Sequence, residues 1–297
     1  MALAEVDHRR SSSGARTGHH WQRLIAVYTQ GAEWPSPRAS VRQRQVQSAA
    51  KSTSAPNLTL PLAPADVLRA AWTGDLNKLR AFTESGGDPN SGDAQGRPLL
   101  LFAAGYGRVA VVRHLCASSS DPFLAATDET PLVRASRYGH SEVITALLEG
   151  GARRSQTIQA SYIQSALAAA VQWGHAHALT LLVDFWHSYS FGANAQPLVD
   201  ADGGEGLLRS ALQRGASEVI ALLLQHRLVP ELMPSHLKLA AQSGSVLTAE
   251  LVLQRLSDKR AAIALARPVA VTWKRDAVAD LLDRALALQD AKEVDEK

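Results

Sequence analysis

A chain of 297 residues, 46% of them apolar, can bury enough surface for one large domain or two small ones. No apolar run reaches the roughly 18 to 20 residues that a membrane-spanning helix needs, so we expect a soluble body. Cys116 is the one cysteine. An internal disulfide is therefore excluded, and the composition suits a reducing compartment such as the cytoplasm or nucleus.

The net charge of +3 is divided unequally along the chain. Residues 1–60 hold eight Lys or Arg and three Asp or Glu, a net +5, whereas the remainder holds 23 basic and 25 acidic residues, a net −2. A body that binds nucleic acid is expected to carry a basic stripe. Any attraction to nucleic acid or acidic membrane is therefore expected in the first 60 residues, and the composition argues against nucleic acid as the partner of the body.

Residues 1–60 are rich in Ser, Arg, Gln, Pro and Ala, a composition typical of a disordered leader. Trp21, Leu24, Ile25 and Tyr28 follow the spacing of one helical face, which predicts a short amphipathic helix at residues 20–30. The two prolines of the segment NLTLPLAPA, residues 57–65, mark the domain boundary that follows.

The leader allows two interpretations. Residues 8–32 lack Asp and Glu and are rich in Arg and Ser, as in the transit peptide of a mitochondrion or plastid, but Glu5 and Asp7 argue against one. The segments Arg9 to Ser12 and Ser36-Pro37 resemble kinase sites, although such short motifs commonly arise by chance.

From about Pro64 the sequence repeats itself around a glycine, at Gly74, Gly107, Gly139, Gly174, Gly215 and Gly244, with spacings of 33, 32, 35, 41 and 29 residues. Four residues before each glycine stands an alanine: Ala70, Ala103, Ala135, Ala170, Ala211 and Ala240. Seven before it stands an apolar residue: Val67, Leu100, Leu132, Leu167, Leu208 and Leu237. Eight after it stands another: Phe82, Leu115, Leu147, Leu182, Leu223 and Val252.

Each of these columns has a physical reason. Alanine lets neighbouring helices approach closely without loss of helix propensity. The apolar columns predict core positions on a first and a second helix. The glycine allows the left-handed backbone that a tight helix-turn-helix requires.

The clearest copy, residues 128–152, contains Thr130-Pro131-Leu132 and Gly139-His140 and resembles an ankyrin repeat. The resemblance covers residues 64–285 and has the family's period of about 33 residues. It implies an all-α repeat protein, an ankyrin helix-turn-helix solenoid with finger loops, preceded by the disordered leader. A generic helical bundle and another helical repeat are the alternatives, and neither explains six copies in register.

The ends of the array depart from the family pattern. A seventh, degenerate unit is expected from Ala261 to Leu288, with Lys274 in place of the turn glycine. Residues 286–297 form a charged tail. Only the third copy keeps the family's Thr-Pro-Leu opening, and the following His is Val133 there. We therefore expect a less uniform array than a consensus one.

The resemblance implies that partners bind in a concave groove, into which the two residues before each turn glycine project. These pairs are Trp72 and Thr73, Gly105 and Tyr106, Arg137 and Tyr138, Gln172 and Trp173, Gln213 and Arg214, and Gln242 and Ser243. Tyr106, Tyr138 and Trp173 would form an aromatic ladder, a residue class enriched at interface hot spots. The alternative is that these rings only cover their own helices.

Loops supply the second candidate surface. About eight extra residues lie between the fourth and fifth copies, and they include Tyr189 and Phe191; insertions of this kind commonly fall on the binding side. Asn90, in the finger of residues 88–97, resembles asparagines that are hydroxylated in some ankyrin proteins. The predicted partner-binding residues are thus Trp72, Tyr106, Arg137, Tyr138, Trp173, Arg214, Tyr189 and Phe191.

Signals for chemistry are weak. Three histidines, His175, His177 and His187, suggest a metal site, but His175 occupies an ordinary position after the turn glycine, and His177 lies two residues further on, off the helical face of His175. No metalloprotease, phosphate-binding or nucleophile-elbow motif is present in the sequence. Cys116 shares a core column with Leu148 and Leu224, which predicts a buried, unreactive thiol. We expect no metal, no cofactor and no enzymatic activity.

The sequence therefore predicts a scaffold or adaptor that binds another protein, as a monomer, in the cytoplasm or nucleus. Two alternatives stay open: an organelle-targeted protein of the same fold, and an accessory subunit of an enzyme complex. The partner is not named by any residue pattern.

Overall fold

The computed structural model describes residues 60–124, 129–153, 160–189, 198–199, 204–229 and 231–295. Within these residues it contains 14 α-helices and no β-strand, and isolated bridges join Gly92 to Leu62 and to Pro98. The predicted leader, with its helix at residues 20–30, lies outside the described residues.

The helices come in consecutive pairs, in which odd numbers denote the first helix and even numbers the second. They are α1 Ala65–Thr73, α2 Leu76–Glu84, α3 Leu99–Gly105, α4 Val109–Ala117, α5 Pro131–Arg137, α6 Ser141–Arg153, α7 Ala160–Trp173, α8 Ala176–Tyr189, α9 Glu205–Arg214, α10 Ser217–Gln225, α11 Pro234–Ser243, α12 Val246–Arg255, α13 Lys259–Thr272 and α14 Asp276–Asp295. The all-α repeat architecture is the predicted one.

A left-handed turn joins the two helices of each pair. The six predicted turn glycines have φ between 69° and 90°, a region that glycine enters without steric cost. In most of these turns the residue after the glycine donates its N–H to the carbonyl of the column alanine, as His175 does to Ala170 at 2.9 Å. This bond closes the end of the first helix and lets the chain reverse direction.

The predicted core columns are buried. The apolar column seven residues before the glycine is at most 5% exposed, and the alanine column at most 1%. Eight residues after the glycine every described column member is fully buried except Phe82, which is half-buried. Burial of an aliphatic side chain contributes about 1.5 to 3 kcal/mol, so the apolar columns contribute substantially to stability.

The described residues divide into two compact units: one comprises those within Met1–Arg134 and Thr145–Ile158, the other those within Ala135–Ile144 and Gln159–Lys297. Within the first unit, first helices α1 and α3 pack together, and so do second helices α2 and α4. Within the second unit, α7, α9, α11 and α13 pack in this order, and α8, α10, α12 and α14 form a parallel series. In each unit first helices therefore contact first helices, and second helices contact second helices.

The final pair repeats the turn without glycine. Lys274 has a φ of 54°, and the next residue, Arg275, donates its N–H to Ala270 at 2.8 Å, as in the other turns. Helix α14 then continues through Asp295, into the segment predicted as a charged tail. In the described part of the chain, no helix combines the length and apolar character needed to cross a membrane.

Lys274→Gly should stabilise the second unit, because a non-glycine residue at a left-handed position costs roughly 1 to 2 kcal/mol. Glycine loses more entropy on folding, about 0.4 to 1 kcal/mol. We expect a net gain of about 0.5 to 1 kcal/mol in the free energy of unfolding, measured by urea denaturation followed by circular dichroism. Lys274→Ala, which removes the charge but keeps the Cβ, is the control; an equal gain from alanine would contradict the backbone explanation.

Candidate functional site

The aromatic residues at the ends of the first helices are held in place but face solvent. Trp72 is 39% exposed, Tyr106 58%, Tyr138 53% and Trp173 45%. Such large apolar side chains are usually buried more deeply. The helix ends fix their backbones, so the rings are presented rather than folded into the core.

In the first unit, the ring of Trp72 contacts a second aromatic ring. Its ring lies 6.1 Å from that of Phe102, edge to face at 67°, a favourable geometry for two aromatic rings. The guanidinium of Arg97 lies 5.2 Å from the centre of the Phe102 ring. Arg97 is positioned by Asp93, which accepts from its Nε at 2.6 Å. We call Trp72, Phe102, Arg97 and Tyr106 the first patch.

Gly105 stands in a column where other repeats have large side chains, and Arg134 explains the exception. A Cβ on Gly105 would lie 2.7 Å from Cδ of Arg134, so the arginine stem crosses the helix there. Glu129 accepts from Nε and Nη2 of Arg134 at 3.0 and 2.8 Å. This half-buried ion pair, in which two guanidinium nitrogens share one carboxylate oxygen, holds the Arg134 stem against Gly105, the residue before Tyr106.

In the second unit, a hydrogen bond ties consecutive turns together. Nε2 of His175 donates to the backbone carbonyl of Arg137 at 2.9 Å. The ring of Tyr138 lies 6.2 Å from that of His140, tilted by 31°. Because His175 follows Trp173 by two residues, this bond fixes the backbone beside Tyr138 relative to the end of α7.

Trp173 carries a cation on its ring. The guanidinium of Arg214, at the end of α9, lies 4.9 Å from the centre of the Trp173 ring. Tryptophan is the ring that attracts cations most strongly, and an exposed pair of this kind contributes about 0.5 to 1 kcal/mol. We call Tyr138, Trp173 and Arg214 the second patch.

The remaining predicted binding residues fall differently. Tyr189 ends α8, but its side chain lies outside the described part, and so does Phe191. Asn90 uses its side chain structurally: Oδ1 accepts from the backbone N–H of Asp121 at 2.9 Å, which ties the first finger to the next loop. Its hydroxylation stays a prediction.

Histidines make structural contacts in this fold. His187 stacks on His226 with ring centres 6.1 Å apart and a 26° angle between the rings. Among the described residues, no group of three or more His, Cys, Asp and Glu side chains is arranged to hold a metal ion. Cys116 is half-buried rather than fully buried as predicted. It packs against Gly150, where a Cβ would lie 3.0 Å from its Sγ.

Sequence reasoning missed one buried polar pair. His236, 2% exposed, accepts at Nδ1 from the backbone N–H of Met233 at 2.9 Å. Its Nε2 therefore carries the proton and donates to Glu205 at 3.1 Å. Here α11 starts two residues earlier, relative to its turn glycine, than the helix that follows Thr130. Alignment on the glycine therefore put Lys238 at the family's histidine position, whereas the motif Met233-Pro234 marks the helix start correctly.

Comparison with known proteins agrees with the repeat pattern. Residues 67–159 match the family model of ankyrin repeats in three copies. Solved structures that resemble the chain include the human ASB11 ankyrin repeat domain, at a TM-score of 0.53 and 18% identity, over 71% of this chain and 96% of that one. At this identity the similarity concerns the fold alone. No curated protein matches the sequence.

The histidine stack should make stability fall in acid. Burial lowers the pKa of His226, and nearby His187 lowers it further, while Asp184 raises it. The unfolded chain, in which histidine titrates near about pH 6.5, therefore binds the proton more readily. The free energy of unfolding should be fully retained above that pH and decrease as the pH falls through it, until the folded pKa is passed.

His226→Gln should flatten this decrease, measured by urea denaturation at several pH values between about 7 and 5. His177→Gln removes an exposed histidine on α8 and is the matched control. If the free energy of unfolding of His226→Gln depended on pH as steeply as that of the unaltered chain, protonation of His226 could not be the cause of the acid destabilisation.

Proposed function

Because the chain is an ankyrin-repeat protein, we propose that it is a non-enzymatic adaptor that binds a partner protein on the side of its first helices. Ankyrin repeats are generally modules of protein–protein interaction. The observation that carries the proposal is the exposure, between 39% and 58%, of the aromatic residues that lie one or two positions before the turn glycines: Trp72, Tyr106, Tyr138 and Trp173.

Pre-ordered rings favour binding for an energetic reason. Tyr and Trp bury a large area with few rotatable bonds, so they are common among the residues that dominate interface energies. In this chain their helix ends are closed by backbone hydrogen bonds to the column alanines. The entropy lost when this chain orders its own residues on binding a partner is therefore small.

Exposure argues against the alternative that these rings only cover their own helices. More than half of the surface of Tyr106 and of Tyr138 is open to solvent. Trp72 does pack locally, on Phe102, and yet leaves 39% of its surface exposed. A partner docked on either unit would complete the burial of the rings of that unit.

We treat the two patches as separate binding elements, one in each compact unit. The first combines Trp72 and Tyr106 with the cation of Arg97 above Phe102. The second combines Tyr138 and Trp173 with Arg214. Arginine beside aromatic rings suits a partner that offers both apolar surface and hydrogen-bond acceptors.

Partner capture from a host lysate with the full chain tests this function. One variant carries Trp72→Ala and Tyr106→Ala, a second carries Tyr138→Ala and Trp173→Ala, and Leu247→Ala is the matched control. Leu247 is 68% exposed but lies on second helix α12. Circular dichroism should show that all variants stay helical.

We expect at least one patch variant to lose a partner that the Leu247 variant keeps, with a loss of more than about 1 to 2 kcal/mol per patch once the partner is purified and titrated. Deletion of residues 1–60 should leave this capture intact. Capture that survives both patch variants and disappears on the deletion would overturn the proposal.

A further inference from the structure

Charge is segregated between the two helix layers of the second unit. First helices α7, α9, α11 and α13, with the turns that follow them, carry eight Lys or Arg and one acidic residue. Second helices α8, α10, α12 and α14 carry nine Asp or Glu and three Lys or Arg. Although the net charge of the body is close to zero, the first-helix layer of this unit is basic and its second-helix layer is acidic.

Several of the basic side chains are not neutralised. The exceptions are Arg260, which pairs with Asp290, and Arg267, which pairs with Asp283. Arg209 has one weak contact, 3.7 Å from Glu205. For the described residues, the structure gives no ion pair for Arg214, Lys238, Lys274 or Arg275, four cations on or directly after first helices. We call Arg209, Arg214, Lys238, Lys274 and Arg275 the basic patch.

The first helices that carry these cations lie side by side. Helix α9 packs on α11, and α11 packs on α13. The turns are also adjacent: a Cβ on Gly215 would lie 2.7 Å from Cβ of Ser245, and one on Gly244 would lie 2.8 Å from Cδ of Arg275. Neighbouring helix axes are about 8 to 10 Å apart, so three helices span roughly 20 Å. About six residues of extended chain cover that distance.

The first helices of this unit also carry a column of amides. Gln172, Gln213 and Gln242 each lie two residues before a turn glycine, on α7, α9 and α11. A primary amide offers both a donor and an acceptor, as does the backbone of an extended peptide. A phosphate backbone offers acceptors only, so half of each amide would have no partner there.

Tryptophans flank the basic patch at both ends. Trp173 lies under the Arg214 guanidinium, and Trp273, 57% exposed, directly precedes Lys274. From these observations we propose that the first-helix surface of the second unit binds an extended, acidic protein segment with interspersed apolar side chains. Gln172, Gln213 and Gln242 bond its backbone, the basic patch receives its carboxylates, and the tryptophans cover its apolar residues.

A protein segment fits better than nucleic acid. The body is net −2 beyond residue 60, and the acidic second helices would repel a long polyanion, whereas a short segment meets mainly the basic side. Association should weaken with salt, since the cations are exposed. This inference rests on the proposed function and specifies the chemistry of the partner.

The test is selection of random displayed peptides of about 16 residues on the full chain. One selected peptide is then labelled and titrated by fluorescence anisotropy, beside its Asn/Gln analogue and a single-stranded oligothymidylate. The variant is Arg214→Glu with Lys238→Glu and Lys274→Glu. The matched control, Arg80→Glu with Arg113→Glu and Arg255→Glu, makes the same change of net charge on exposed second-helix positions. Leader residues 1–60 are present in both.

We expect selected peptides enriched in Asp and Glu, and an affinity that falls at least about tenfold in the variant but less than about twofold in the control. Their Asn/Gln analogue should bind correspondingly less well. Selection of neutral or basic peptides, an equal loss in the control, or tighter binding of the oligothymidylate with the same sensitivity to the variant would each overturn the inference.

The outcomes separate the two proposals. Selected peptides that are lost on Tyr138→Ala with Trp173→Ala, but not on charge reversal, would leave the adaptor function standing and refute the acidic partner. Selected peptides whose affinity is unchanged by both the aromatic and the charge-reversal variants would count against both proposals.

Discussion

Close contact between first helices is the constraint on which the rest of the molecule depends. It requires a small side chain where two helices meet, and alanine occupies that position in every repeat at no more than 1% exposure. In most repeats the carbonyl of the same alanine also accepts from the residue after the turn glycine, because the first helix ends there. One column therefore sets both the packing of neighbouring repeats and the reversal of the chain. The aromatic side chains lie directly beside that reversal, which is why they are ordered without being buried.

Much of this fold could be read from the sequence, because its determinants are local and repeated. The glycine, alanine and apolar columns fix where helices begin, turn and pack, and the structure confirms them. Lys274 shows how strong the context is. Tertiary packing of α13 and α14 holds a residue with a Cβ in the left-handed region, against its own preference.

The arrangement of the surface side chains was harder to predict from the sequence, because it depends on contacts between residues far apart in the chain. The repeat columns do not predict that the Arg134 side chain crosses Gly105. A glycine in a column of large side chains did indicate that another residue fills the space beside it. The pair of His236 and Glu205 was hidden by a two-residue shift of one helix start. The net charge of the whole body hid the segregation of charge between the helix layers. The segregation becomes visible only when each charged residue is assigned to a first or a second helix.

The backward-reaching hydrogen bonds also bear on how such a chain can grow. Arg108 donates to the carbonyl of Trp72 at 2.8 Å, and His175 makes the same kind of bond to Arg137; in each case the donor belongs to the later repeat. A repeat therefore brings with it the group that satisfies the end of the one before. Duplication of such a repeat preserves the junction on its amino-terminal side, so the array can lengthen or shorten in whole repeats by recombination without a compensating mutation there.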